Sequence, residues 1–168
     1  MRAALLKNAG YPCPYLPGRL VRMEQFLVLS LSLEEHEELL KQGFRHFGAY
    51  YFRPACEGCA RCVPLRFKAL KAREHRSWRR LLSKSSALSF AVDEEIDPDQ
   101  AFRIYRLHKE RFSDGESPDS AIFRESFFSA HPTQHYLTIR DDGRLVAVAH
   151  FDWTDSALSA IYTYYDHH

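Results

Sequence analysis

The sequence predicts an α+β protein, with a small cysteine-rich N-terminal module followed by a mixed helix-and-sheet domain. Cys56, Cys59 and Cys62 stand at C-x2-C-x2-C spacing in FRPACEGCARCVPLRF, residues 52–67. A basic run, KALKAREHRSWRRLLSK, follows at once. Beyond it, two helical stretches precede three turn-punctuated strands, an order that suits an α+β domain. The character of the chain changes across residues 68–86, which places the module at 1–85 and the second domain at 86–168.

At 168 residues the chain is long enough for one ordinary domain, or for a small module joined to one. A formal net charge of +1 conceals strong local bias: nine basic residues lie between Arg61 and Lys84 against a single acid, Glu74. Acids prevail from Asp93 to Glu125. No run approaches the roughly 20 apolar residues of a membrane-spanning helix. The opening MRAALLKNAGYP lacks an apolar core of signal-peptide length. The protein is therefore expected in the cytoplasm, where thiols stay reduced and four cysteines read as ligands or reactive groups rather than two disulfides.

In chain order, YPCPYLPGR (11–19) is proline-dense and should turn or extend, carrying Cys13 with it. MEQFLVLSL (23–31) reads as a strand. Ser32 and Glu35 form a capping box for a helix that should stop at Gly43. Residues 44–53, FRHFGAYYFR, read as an aromatic strand leading into the cysteine loop. This order lets one small sheet bring Cys13 toward the triplet, so the four thiols Cys13, Cys56, Cys59 and Cys62 are a candidate metal site. Zinc and an iron–sulfur cluster both suit such spacing, and a buried, inert Cys13 is the competing reading.

The basic run is helix-compatible. Arg76, Arg80 and Lys84 share one face at i, i+4 spacing, with Arg73 and Arg79 adding charge, so a phosphate backbone can lie along it. Trp78 can stack on an unpaired base. A solvated helix face with Trp78 in the core explains the same residues. Next, SALSFAVDE reads as a strand, and Asp97 with Pro98 opens a helix running to about Arg111. FSDGESPDS is a loop, SAIFRESFFSA a second helix, and HYLTIRD, RLVAVAHFDW and ALSAIYTYYD three strands. This is the order of the first half of a GNAT-like (N-acyltransferase) fold, though many α+β domains share it.

Taken together, CPYLPGR, YYFRPACEGCARCVPLRF, the RRLLSK run and LSAIYTYYD resemble the aminoacyl-tRNA–protein transferases of the N-degron pathway, on the bacterial aspartate/glutamate leucyltransferase branch. The arginyltransferases are more distantly similar, carrying a second cysteine where this chain has Leu16. The resemblance runs from about Pro12 to the last residue. It implies a cysteine-rich module joined to a GNAT-like domain, and transfer of leucine from aminoacyl-tRNA to proteins beginning with Asp or Glu. Acetyl-CoA takes no part, and no membrane or DNA partner is implied.

On that reading the basic run with Trp78 meets the tRNA. Arg45, Arg53 and the histidines are the candidates for meeting an acidic acceptor. Tyr162, Tyr164 and Asp166 are candidates for handling the acceptor amine's proton, with ordinary core packing as the alternative for each tyrosine. Two departures stand out. Phe44-Arg45-His46-Phe47-Gly48 replaces FRRSG, putting a ring where relatives have a small hydroxyl. The chain also ends at Asp166-His167-His168, where family members continue, so a truncated acyltransferase domain is expected. A non-catalytic zinc- or cluster-bearing RNA-binding module, and a thiol redox sensor, are the rival classes.

Overall fold

The computed structural model describes residues 1–72, 75–112 and 117–168. The elements, in order, are β1 (Arg2–Leu5), β2 (Tyr11–Pro12), β3 (Leu20–Val21), β4 (Met23–Ser30), α1 (Leu33–Lys41), β5 (Arg45–Phe47) and β6 (Tyr50–Pro54). There follow α2 (Ala69–Ala72), α3 (Arg76–Lys84), β7 (Leu88–Val92), α4 (Pro98–Lys109), α5 (Ser120–Phe128), β8 (Gln134–Asp141), β9 (Arg144–Trp153) and β10 (Leu158–Tyr165). One four-stranded sheet runs in the order β1-β4-β6-β5 and another in the order β10-β9-β8-β7, with β2 and β3 as a separate pair. This is the mixed α/β architecture, rich in antiparallel pairing, that the sequence predicts. Among the described residues no helix is long and apolar enough to cross a membrane.

Packing divides the chain into two compact units. One comprises Met1–Val63, Ala121–Gln134 and Phe151–Ile161, the other Pro64–Ser120, His135–His150 and Tyr162–His168.

In the first unit, α1 begins as its sequence dictates: Ser32 accepts from the Glu35 amide while the Glu35 carboxylate takes the Ser32 N–H. The helix turns His36 and Leu39, at i, i+3, inward. The stretch 44–53 is not one strand but a hairpin. Gly48 sits at φ +52, and a Cβ there would lie 2.5 Å from the Glu125 carbonyl oxygen, so only glycine fits the turn against α5. Register places His46 opposite Tyr51, and Tyr51 opposite Phe26. A row of rings therefore crosses three strands on one face, Tyr51 stacking on Phe26 at 5.8 Å and on His46 at 4.8 Å. Phe26, Leu39, Phe44 and Tyr51 form its apolar core. β1, absent from the sequence reading, pairs antiparallel with β4.

In the second unit, Asp97 caps α4 by accepting from the Asp99 amide, with Pro98 in the first turn where its missing N–H costs nothing. Ala101, Ile104 and His108 face inward from α4, and the Tyr105 ring meets Tyr164 edge-on at 5.6 Å. Asp142 and Gly143, both at positive φ, make the tight turn between β8 and β9.

Candidate functional site

Four segments of the first unit converge on one buried polar cluster. α1 supplies His36, β5 supplies His46, the stretch after α5 supplies His131 and Thr133, and the end of β9 supplies Asp152. His36, Thr133 and Asp152 have no solvent exposure, and His46 has 2%. The Asp152 Oδ1 atom lies 2.9 Å from His46 Nε2, 3.5 Å from His36 Nε2 and 3.1 Å from the Thr133 hydroxyl, which donates to it. His46 Nδ1 donates to the Gly48 carbonyl at 2.9 Å. The Tyr51 hydroxyl bridges His36 Nδ1 at 2.6 Å and His131 Nε2 at 2.9 Å.

Burial pushes the Asp152 carboxyl upward, but the His36 and His46 rings beside it outweigh that and hold the group below the usual carboxylate range. Burial, reinforced by His46 and His36, lowers the His131 imidazole to about 4 against the pull of Asp152. Burial also raises the Tyr51 phenol, with the Asp152 charge adding to it. The cluster is therefore a hydrogen-bonded pocket with one fixed anion.

Beside it opens a cleft of about 130 Å³, lined by Arg45, His46, Phe52, Asp152, Ser159 and Ala160 among others. The exposed Arg45 guanidinium is held at its rim, donating to Ser159 Oγ at 2.7 Å and to the Ala160 carbonyl at 3.0 Å. Those two bonds fix its plane and leave further N–H groups for a ligand. Arg53 has a different task. Its Nη2 pairs with Glu24 across the strands at 2.6 Å, its Nη1 donates to the Gln42 carbonyl at 2.9 Å, and its guanidinium lies 4.4 Å over the Phe44 ring. It fastens β6 to β4 and to the end of α1.

The cysteines belong to the same unit. All four are free thiols, Cys62 exposed and the others partly buried. The proline-rich loop and the cysteine loop meet: Arg22 N–H points to Cys56 Sγ at 3.3 Å, Arg19 donates to the Gly58 carbonyl at 3.4 Å, and Leu16, Arg19 and Cys59 border a cleft of about 280 Å³. Among the described residues no three of these thiols stand within metal-binding reach of one another, so the structure does not assemble the four-cysteine set expected from the sequence.

Of the residues expected to meet nucleic acid, Arg73 lies outside the described residues. Arg76, Arg79, Arg80 and Lys84 stand on α3, which buries none of its residues. At 100° per residue the cations occupy one side, while Trp78 falls on the opposite side with Leu81 and Leu82. Trp78 is 46% exposed, so it is neither a core residue nor flanked by the cations.

On β10, Tyr164 is fully buried, its hydroxyl 3.1 Å from His150 Nε2. Burial raises its phenol, which keeps the group neutral. Tyr162 is half-buried, its ring edge-on to Tyr105 at 6.0 Å. Asp166, just past β10, accepts from the His168 N–H and pairs with Arg144 at 2.6 Å. These hold its carboxyl below the usual range and make it a weak base.

Sequence reasoning named the histidines only as a class. It did not single out His36, His46, His131 and Asp152, because four ligand-type residues spread over 117 positions carry no spacing signal. The readable trace is that His36 shares the inward face of α1 with Leu39, where an apolar residue is expected.

Two family profiles match the sequence. Residues 11–80 match the arginine-tRNA-protein transferase N terminus and residues 100–168 its C terminus. The chain is 33% identical to an aspartate/glutamate leucyltransferase of Halorhodospira halophila, over 98% of its own length and 72% of that protein. With the same-named proteins of Vibrio campbellii and Thiobacillus denitrificans it shares 34% and 31% identity, over 99% and 95% of this chain and 72% and 68% of theirs. Both halves of the sequence thus match one set of proteins, and the chain belongs to the aspartate/glutamate leucyltransferase family of aminoacyl-tRNA–protein transferases.

Proposed function

We propose that this protein transfers leucine from leucyl-tRNA to the α-amine of proteins beginning with Asp or Glu, marking them for degradation. Family membership over nearly the whole chain carries this reading. The cytosol, where charged tRNA is found, is its place of action. The catalytic part is a GNAT-like domain that uses the tRNA ester in place of acetyl-CoA.

The chemistry asks for positioning more than for a strong base. The acceptor nitrogen attacks the ester carbonyl, a C–N bond forms, the ester C–O bond breaks, and the ribose oxygen leaves with a proton that the amine gives up. An α-amine has a pKa of about 7.7–8.0, so a useful fraction is already neutral near pH 7.5. Holding both substrates in line then supplies the larger part of the rate. Arg45, preoriented at the rim of the cleft, supplies the cation that an acidic first side chain requires, in the bidentate geometry guanidinium favours. Arg76, Arg79, Arg80 and Lys84 on α3, with Arg73 beside it in sequence, meet the tRNA phosphates. Trp78, on the other face, offers an exposed ring. Tyr162 and Tyr164 shape the centre of the acyltransferase domain, and Asp166 orients Arg144. Cys13, Cys56, Cys59 and Cys62 would hold zinc or an iron–sulfur cluster, whose bound form braces the two loops.

Labelled leucyl-tRNA mixed with peptides starting in Asp, Glu or Ala tests the proposal. Labelling of the first two alone is expected. Equal labelling of all three overturns the acidic-acceptor assignment, and no labelling of any overturns the activity.

A further inference from the structure

We propose that His36, His46 and Asp152, completed by His131, form a binding site for a divalent transition-metal ion of the zinc class, separate from the cysteines. Four observations carry it.

The first is spacing. A tetrahedral ion with ligands at about 2.1 Å sets neighbouring ligand atoms about 3.4 Å apart. Asp152 Oδ1 stands 2.9 Å from His46 Nε2 and 3.5 Å from His36 Nε2, already on that scale. One ring nitrogen from each of His36, His46 and His131 lies within 4.8 Å of the others, so small ring rotations close the set.

The second is an orphaned pair of atoms. His36 Nε2 and Asp152 Oδ2 are buried without a hydrogen-bond partner. Leaving such atoms unmatched costs roughly 1–3 kcal/mol each, and an ion held by His36 Nε2 and the Asp152 carboxylate removes that cost.

The third is the surrounding support. Metal-bound imidazoles usually donate their second nitrogen to a carbonyl, carboxylate or similar acceptor. His46 Nδ1 already donates to the Gly48 carbonyl, and His36 Nδ1 lies 2.6 Å from the Tyr51 hydroxyl. Both rings thus present Nε2 inward. Thr133, donating to Asp152, fixes the carboxylate in the same way.

The fourth is the donor set. Imidazole and carboxylate donors favour zinc, cobalt(II) or nickel(II) over magnesium or calcium. The ligands come from α1, β5, the stretch after α5 and β9, so the ion ties together four segments of one unit that are distant in sequence.

Cobalt(II) reports the difference between this site and the thiols. The full-length protein is stripped with chelator, its thiols are blocked with iodoacetamide, and cobalt is titrated in. The expected result is a visible d–d spectrum of a tetrahedral nitrogen and oxygen site, without thiolate-to-metal charge transfer, at one ion per chain and displaced by zinc. His36→Ala abolishes it. Tyr51→Phe, which keeps the ring and the fold, lowers cobalt affinity about 10- to 100-fold, and circular dichroism verifies that both variants are folded. Should His36→Ala unfold, the Tyr51→Phe comparison decides. Absorbance that vanishes on alkylation, absence of any d–d band, or Tyr51→Phe binding cobalt as tightly as the unaltered protein would each overturn the assignment.

Discussion

Replacing Asp152 separates the roles its carboxylate plays in the metal-free protein. Asp152→Ala removes the acceptor for His46 Nε2 at 2.9 Å and for the Thr133 hydroxyl at 3.1 Å, and the facing charge for His36 at 3.5 Å, all where solvent cannot substitute. Removing one member of a buried ion pair costs about 3–5 kcal/mol, a large part of the 5–15 kcal/mol expected for a whole domain. Asp152→Asn keeps the shape and one carbonyl acceptor, so Thr133 stays bonded. The bond to His46 loses the carboxylate charge but keeps an acceptor, and the loss should fall to about 1–2 kcal/mol. The assay is urea unfolding at pH 7 with chelator present, the two variants compared with the unaltered protein at constant m-value. Because the folded carboxyl is held below its ordinary value, its contribution is complete above the unfolded value near 3.9 and is lost as pH falls through the folded value. The gap between Asp152→Asn and the unaltered protein should therefore shrink only at strongly acidic pH. Equal losses for Ala and Asn, or losses below about 0.5 kcal/mol for both, would refute the reasoning.

Burial lowers the His150 imidazole to about 3, so the folded state should weaken as pH drops from about 6.5 toward 3, by about 1.4 kcal/mol per unit. Chemical denaturation at pH 7 and pH 5 should show His150→Gln losing about 2 kcal/mol less between the two than the unaltered protein. Gly48→Ala meets both a left-handed backbone and the Glu125 carbonyl; thermal unfolding should register a loss of about 2 kcal/mol or more. Replacing Arg76 and Arg80 with alanine should weaken tRNA binding and flatten the plot of log affinity against log salt by about 1.5–2, measured by filter binding over a salt series. Arg45→Ala should raise the KM for Glu-starting peptides while leaving the unfolding midpoint in place. Arg53→Ala, which loses the Glu24 pair and the Gln42 bond, should instead lower the midpoint.

Local chemistry made much of this fold legible. Ser32 and Glu35, and Asp97 and Pro98, mark helix starts through hydrogen bonds formed within four residues, and the structure places α1 and α4 there. The strands after residue 134 are rich in apolar and aromatic residues and are punctuated by Asp142–Gly143, so they too were readable. The 44–53 stretch was not. Its aromatic run conceals a turn that depends on Gly48 fitting against a helix nearly 80 residues away. β1 escaped for a related reason: RAAL has no alternation of its own and takes its register from β4. The cysteine spacing and the basic run are local patterns and could be named at once, whereas the histidine cluster is assembled by tertiary packing alone.

The hairpin of β5 and β6 joins that cluster to the cleft beside Arg45. Successive residues of a strand point to opposite faces, so a pairing of Arg45 with Phe52 and His46 with Tyr51 sends one side chain outward to the cleft rim and its neighbour inward to Asp152. A one-residue slip would exchange them and destroy both sites together. Gly48 fixes that register by closing the turn, and the ring of Phe47 braces it against Phe127 of α5 at 5.8 Å. His46 and Phe47 thus act as a pair. One brings an imidazole to the buried carboxylate, and the other packs the strand that holds it there, so a small residue in place of Phe47 should loosen His46.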